Sequence, residues 1–292
     1  MTDSNRDIWS QWLFHRRHGG DQQQLQLVMD YLRPIRDKVL QGANIRDHDV
    51  ILDVGCGDGL ITFGALEQNA TCTVIFSDIS QDLLDHAQTA ARDLGLLDRA
   101  TFLQAAADDL SSLNDASVNV VTTRSVLIYV PAKQQAFNEF YRVLKPEGRL
   151  SIFEPINRFA YPEPPHLFSG FDVTPILDIA QKVKVVYDRL QPPESDPMLD
   201  FDERDLIAWA EQAGFTKVYL ELRVKIEPPT QDRPWEVFLR SSGNPKIPTL
   251  EEAIEQSLTH AEAAAFVAHL RPLIEMNQGI QRSAVAYLWA VK

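Results

Sequence analysis

A chain of 292 residues with 45% hydrophobic side chains is long enough to bury a full core in one large domain with additions. Its net charge of −13 repels a nucleic-acid backbone, and the single arginine doublet, Arg16 with Arg17, is too little local charge to offset that. No apolar run reaches about 18 residues and the amino terminus, MTDSNRDIWS, lacks a basic-then-apolar signal pattern, so the expectation is a cytoplasmic chain without a membrane span.

Taken in chain order, the first feature is an aromatic and basic segment, Trp9, Trp12, Phe14, His15, Arg16, Arg17 and His18, ahead of Gly19 and Gly20. Leu25, Val28, Leu32, Ile35 and Val39 then recur at helical spacing, with Pro34 expected to kink or divide the helix. Residues 1–47 read as a helical lid able to swing at the glycine pair. Imidazole titrates near neutrality, so His15 and His18 are general-base candidates, against the plainer role of surface or packing histidines.

Residues 50–59, VILDVGCGDG, give a buried strand followed by Gly55, Gly57 and Gly59 at alternate positions, where the backbone turns sharply and admits a ligand closely. Asp53 would repel phosphates. The stretch has neither the G-x-G-x-x-G spacing of dinucleotide sites nor the Lys-Ser/Thr of a P-loop, which disfavours a nicotinamide oxidoreductase. A second apolar run, TVIFS at 73–77, ends at Asp78, 19 residues after Gly59, where an acid accepts hydrogen bonds from both ribose hydroxyls in nucleoside-binding doubly wound sheets. Ser80 then caps a helix carrying Leu83, Leu84, Ala87, Ala91 and Leu94, with Gly95 as its stop. A third strand begins at TFLQ and runs into a loop with Asp108 and Asp109. VNVVTT at 118–123 is a fourth, and RVLKPEGRLSIFEP supplies a helix end, a turn and a fifth strand.

With these motifs in this order, residues 48–155 resemble the class I S-adenosylmethionine-dependent methyltransferases, similar to those of ubiquinone, menaquinone and natural-product pathways. The resemblance implies S-adenosyl-L-methionine as cofactor and contacts to it from Asp53, Gly55, Gly57, Gly59, Asp78, Ile79, Ala107, Asp108, Arg124 and Ser125, Asp108 taking the adenine amine. Arg16 is a candidate partner for the methionine carboxylate. Tyr129 sits where the family lines its reaction centre, its plainer role being a packed aromatic; Glu154 ends the fifth strand beside Asn157, a rim carboxylate placed to orient a substrate amine or hydroxyl, its plainer role being a salt bridge. Two departures stand out: Ala106, where many relatives carry an acid or amide, and Asn119, where relatives usually carry Asp. Cys56 and Cys72 lack CxxC spacing, which argues against zinc, and Cys56 reads as a packing residue.

The expected architecture is α/β, a doubly wound Rossmann-like seven-stranded sheet with a mostly helical cap. Its divisions are a lid over 1–47, core segments at 48–155, 202–226 and 281–292, and cap insertions at 156–201 and 227–280. The second insertion carries two capping boxes, Thr249 with Glu252 and Thr259 with Glu262. The expected reaction is methyl transfer to a small apolar or aromatic acceptor, quinone-like or a secondary metabolite, without nucleic acid, by a monomer or homodimer. The alternatives are a cofactor-sensing pseudo-methyltransferase and aminopropyl transfer.

Overall fold

The computed structural model describes residues 6–17, 19, 22–229 and 234–292. In chain order the first half contains α1 (Ile8–Gln11), α2 (Gln22–Ala43), β1 (Val50–Val54), α3 (Leu60–Gln68), β2 (Thr73–Asp78), α4 (Gln81–Asp93), β3 (Ala100–Gln104), β4 (Val118–Arg124), α5 (Lys133–Val143) and β5 (Leu144–Pro155). The second half contains β6 (Leu167–Phe168), β7 (Phe171–Asp172), α6 (Leu177–Leu190), α7 (Glu203–Ala213), β8 (Lys217–Glu227), α8 (Trp235–Arg240), α9 (Leu250–Ser257), α10 (His260–Glu275) and β9 (Gln281–Val291). They form two compact units: a sheet unit of Val28–Ile156, Phe201–Arg223 and Val285–Lys292, and a helical unit of Met1–Leu27, Asn157–Asp200 and Val224–Ala284.

The sheet has seven strands in the order β3-β2-β1-β4-β5-β9-β8, with the first five parallel and β9 antiparallel to β5. Its central strands are near-continuous apolar runs because helices cover both faces of a parallel sheet. Leu52 of β1, facing Ile75 of β2 and Val121 of β4, is fully buried. Connections leave β1 toward β2 on one side and return to β4 on the other, so chain order reverses beside β1, and loops after β1, β2 and β4 emerge together at the carboxyl end.

Helix α2 continues through Pro34 and is not divided there. Leu32, Ile35, Val39, Leu40 and Ala43 pack with Ile51, Val74 and Phe76, and that burial outweighs the missing backbone donor. Residues from Val28 onward therefore belong to the core of the sheet unit, whereas the sequence placed them in a lid. Ser80 accepts the Leu83 amide as expected, and Leu83, Leu84, Ala87 and Ala91 are buried; Leu94 falls at the helix end and is exposed. At the opposite end of the sheet from the loops, the Arg149 guanidinium pairs with Asp49, donates to the Ala43 carbonyl at 3.0 Å, and is buried.

The helical unit has its own core, in which Phe168 meets Phe266 edge-on at 5.5 Å beside Val183, Leu250 and Leu270. Both expected capping boxes are present, at the starts of α9 and α10. The aromatic segment at the amino terminus is bound into this unit. Trp12 Nε1–H donates to the Ser242 carbonyl at 2.9 Å, the Ser242 amide donates to the Arg16 carbonyl at 2.9 Å, and Arg16 pairs with Glu252 at 2.5 Å. Among the described residues no helix is long and apolar enough to cross a membrane.

Candidate functional site

The glycine loop is held from two sides. Gly55, Gly57 and Gly59 all adopt positive φ, and a Cβ on Gly55 would come within 2.2 Å of Val126 Cγ2, so close packing as well as turning requires glycine there. The Cys56 amide donates to the Ser77 carbonyl at 2.9 Å, and the Gly57 amide donates to Asp78 Oδ2 at 2.9 Å. Asp78 Oδ1 accepts the Ser80 amide at 2.9 Å, so one carboxylate at the end of β2 ties the loop after β1 to the start of α4. Ile79, beside it, presents an exposed aliphatic side chain.

Asp53 lies beneath the loop with 1% of its surface exposed. Its Oδ1 accepts the Thr122 hydroxyl at 2.7 Å; Oδ2 makes no hydrogen bond of full geometry, and the nearby Thr62 hydroxyl, which has no other partner, weakly favours the ionised carboxylate. The hydroxyls of Ser77 and Thr123, which flank Val54 on the neighbouring strands, are also buried without partners. Buried polar atoms are ordinarily satisfied, so the unbonded Asp53 Oδ2 beneath the loop is an acceptor with capacity to spare, whereas Ser77 and Thr123, paired with Val54, face the other side of the sheet. Burial pushes the Asp53 carboxyl up to about 7, against the pull of Thr122 and Arg124. The native state therefore holds more protons than the unfolded chain between about pH 4 and 7, and stability that is complete below that window is lost as pH rises through it. Asp53→Asn is expected to be more stable than the parent at pH 8, by on the order of a few kcal/mol, with the difference vanishing near pH 4. Urea unfolding at both pH values checks this, and an equal difference at each would remove Asp53 as its source.

Two further carboxylates organise the adjoining loops. Glu154, fully buried at the end of β5, accepts the Val126 and Leu127 amides on Oε1 at 2.8 and 2.9 Å and the Ile128 amide on Oε2 at 3.4 Å. It does not stand at an open rim with a free carboxylate, as the sequence suggested, because the turn after β4 folds over it. Glu139 of α5 accepts the Leu110 amide at 2.8 Å and pairs with Arg142, which donates to the Leu110 and Leu113 carbonyls. These two residues hold the loop after β3, where Asp108 is half-buried and Ala107 buried. Sequence reading missed them; their i,i+3 spacing on a helix is the trace they leave, and it signals an ion pair without indicating a loop.

Arg124 ends β4, and Ser125 and Tyr129 lie in the turn that follows, each of the three half-buried, with Ser125 at a φ of +57°. Arg124 acts electrostatically on both Asp53 and Glu154, favouring their ionised forms. The site residues proposed from the amino terminus belong to the other unit. Arg16 has Glu252 as its ion-pair partner there rather than a residue of the glycine loop, and His15 is exposed in a short π-helical turn, Trp12–Arg16. His18 lies outside the described residues. Cys56 is buried, and burial raises its thiol well above the ordinary value, which leaves no thiolate for nucleophilic use.

Residues 45–179 match the family model of a methyltransferase domain. Among curated proteins, the chain is similar to a demethylmenaquinone methyltransferase of Lactobacillus johnsonii, 33% identical over 41% of this chain and 49% of that one. It is also similar to a tRNA 5-carboxymethoxyuridine methyltransferase of Escherichia coli, 30% identical over 35% of this chain and 38% of that one. The chain thus spans at most about half the length of these relatives. Among solved structures, a methyltransferase-like protein of Bacillus halodurans superposes with a TM-score of 0.52 at 18% identity, over 88% of this chain and 98% of that one, a likeness of fold. The strand order, the glycine loop tied to the acid of β2 and the matched domain agree: residues 45–179 form a methyltransferase domain of the class I S-adenosylmethionine-dependent kind.

Proposed function

We propose that this protein transfers a methyl group from S-adenosyl-L-methionine to a small apolar or aromatic acceptor of quinone-like or secondary-metabolite type. The observation that carries the cofactor is the triple-glycine loop whose Gly57 amide is anchored on Asp78, above a buried Asp53 with an unpartnered oxygen. Those groups fit the cofactor: backbone at Gly55–Gly59 allows close approach, the Asp78 carboxylate at the end of β2 is the acceptor type that ribose hydroxyls need, and Asp53, when ionised, supplies negative charge to an ammonium. Ile79 offers apolar surface, and Ala107 and Asp108 an edge, for a base. When bound, the cofactor supplies an activated methyl on a sulfonium. The residues of this chain bind, orient and exclude water, and a proton acceptor is needed only where the acceptor atom keeps its proton.

Calorimetry with S-adenosylmethionine, S-adenosylhomocysteine and the two nicotinamide dinucleotides tests the reading. Binding of the first pair and none of the second is expected; tight dinucleotide binding without sulfonium binding would end it. The demethylmenaquinone relative favours a quinone-like acceptor, and the net charge of −13 disfavours a polynucleotide. The tRNA-modifying relative supports a second reading, methylation of a nucleic acid. Turnover assays with a reduced naphthoquinone and with tRNA carrying 5-carboxymethoxyuridine separate the two.

A further inference from the structure

The turn after β4 packs beside the glycine loop through Val126 and is held on β5 by the buried Glu154. Ser125 takes a left-handed φ of +57°, costly for a residue with a Cβ, while its amide donates to the Phe153 carbonyl at 2.8 Å. The chain then directs three consecutive amides, Val126 to Ile128, at the carboxylate of Glu154. Val126 in turn fills the space beside Gly55, and Arg124 at the start of the turn favours the charged forms of Asp53 and Glu154.

We propose that Glu154 is a positioning residue for the cofactor site, its carboxylate fixing the turn over residues 125–128 so that Val126 braces the glycine loop and Arg124 stays beside Asp53. The cofactor part rests on the methyltransferase reading above; the bracing of the turn does not. A carboxylate offers acceptors to all three amides, whereas a carbonyl alone offers fewer, and a protonated acid turns an O–H toward donors. Burial pushes Glu154 up to about 7, so the ionised form that holds the turn is lost as pH falls through that value. Arg124 is the charged group acting on Glu154; Arg124 and Asp78 are those acting on Asp53, which titrates in the same range.

The experiment pairs hydrogen exchange over residues 124–130 with calorimetric titration of S-adenosylhomocysteine from pH 6 to 9, on the parent and on Glu154→Gln. Exchange at Val126–Ile128 is expected to quicken in the variant even without ligand. Affinity should fall about tenfold at pH 8, the scale of trading a charge-assisted hydrogen bond for a neutral one, and part of the decline toward pH 6 should disappear, leaving that of Asp53. Unchanged exchange overturns the proposal, and so does a variant whose affinity runs parallel to the parent at every pH. If the parent itself fails to bind, the functional reading falls, while exchange still decides whether Glu154 holds the turn. Should Glu154→Gln not fold, Glu154→Asp replaces it: the retracted carboxylate keeps the pH dependence but loosens the turn, and exchange equal to the parent counts against the idea.

Discussion

Arg149→Met is expected to lower the free energy of unfolding by about 3–5 kcal/mol, the usual cost of leaving one charge of a buried pair uncompensated. Arg149 and Asp49 are 6% and 4% exposed, and burial pulls the guanidinium below its ordinary value despite the carboxylate beside it. Methionine keeps much of the volume but abandons Asp49 to the Arg46 amide alone, at 2.7 Å, and leaves the Ala43 carbonyl without its donor. The consequence extends beyond the pair, because Ala43 ends α2, Asp49 precedes β1 and Arg149 lies on β5. Urea unfolding provides the measurement. The double variant with Asp49→Asn should recover part of the loss, since no buried charge then remains. A single-variant cost below about 1 kcal/mol, the range of an exposed pair, would show that water reaches the site.

Asp78→Ala should weaken cofactor binding by about 1.5–3 kcal/mol, the scale for hydrogen bonds to a charged group. That is roughly a tenfold to hundredfold loss of affinity. Two effects act in the same direction: acceptors for the proposed ribose contact disappear, and the Gly57 and Ser80 amides lose the carboxylate that aligns the loop with α4. Asp78→Asn separates them, because an amide keeps one acceptor oxygen and the shape but not the charge. Calorimetry with S-adenosylhomocysteine, alongside thermal unfolding of each variant, gives both readings. An alanine variant with parental affinity and stability would move the ribose contact elsewhere.

The sequence by itself determined the doubly wound sheet, the two capping boxes and the glycine loop with its acids, because each depends on residues close together in the chain. A parallel core strand must be apolar on both faces, as in VILDV and TVIFS, and a capping box needs its two members three residues apart. Alternate glycines at positive φ likewise leave their mark without knowledge of the neighbours. Only the tertiary structure decided what depends on partners distant in sequence. Pro34 looked like a helix break, but the sheet core against Leu32 and Ile35 holds α2 continuous. Arg16 looked free to meet a ligand carboxylate, yet its partner is Glu252, 236 positions away. Glu154 had the appearance of a rim acid, and nothing in FEP told that a turn 26 to 28 residues earlier would present its amides to that side chain. Local pattern specifies an element because its physical cause is local; a buried carboxylate takes its role from whichever donors the completed fold brings to it.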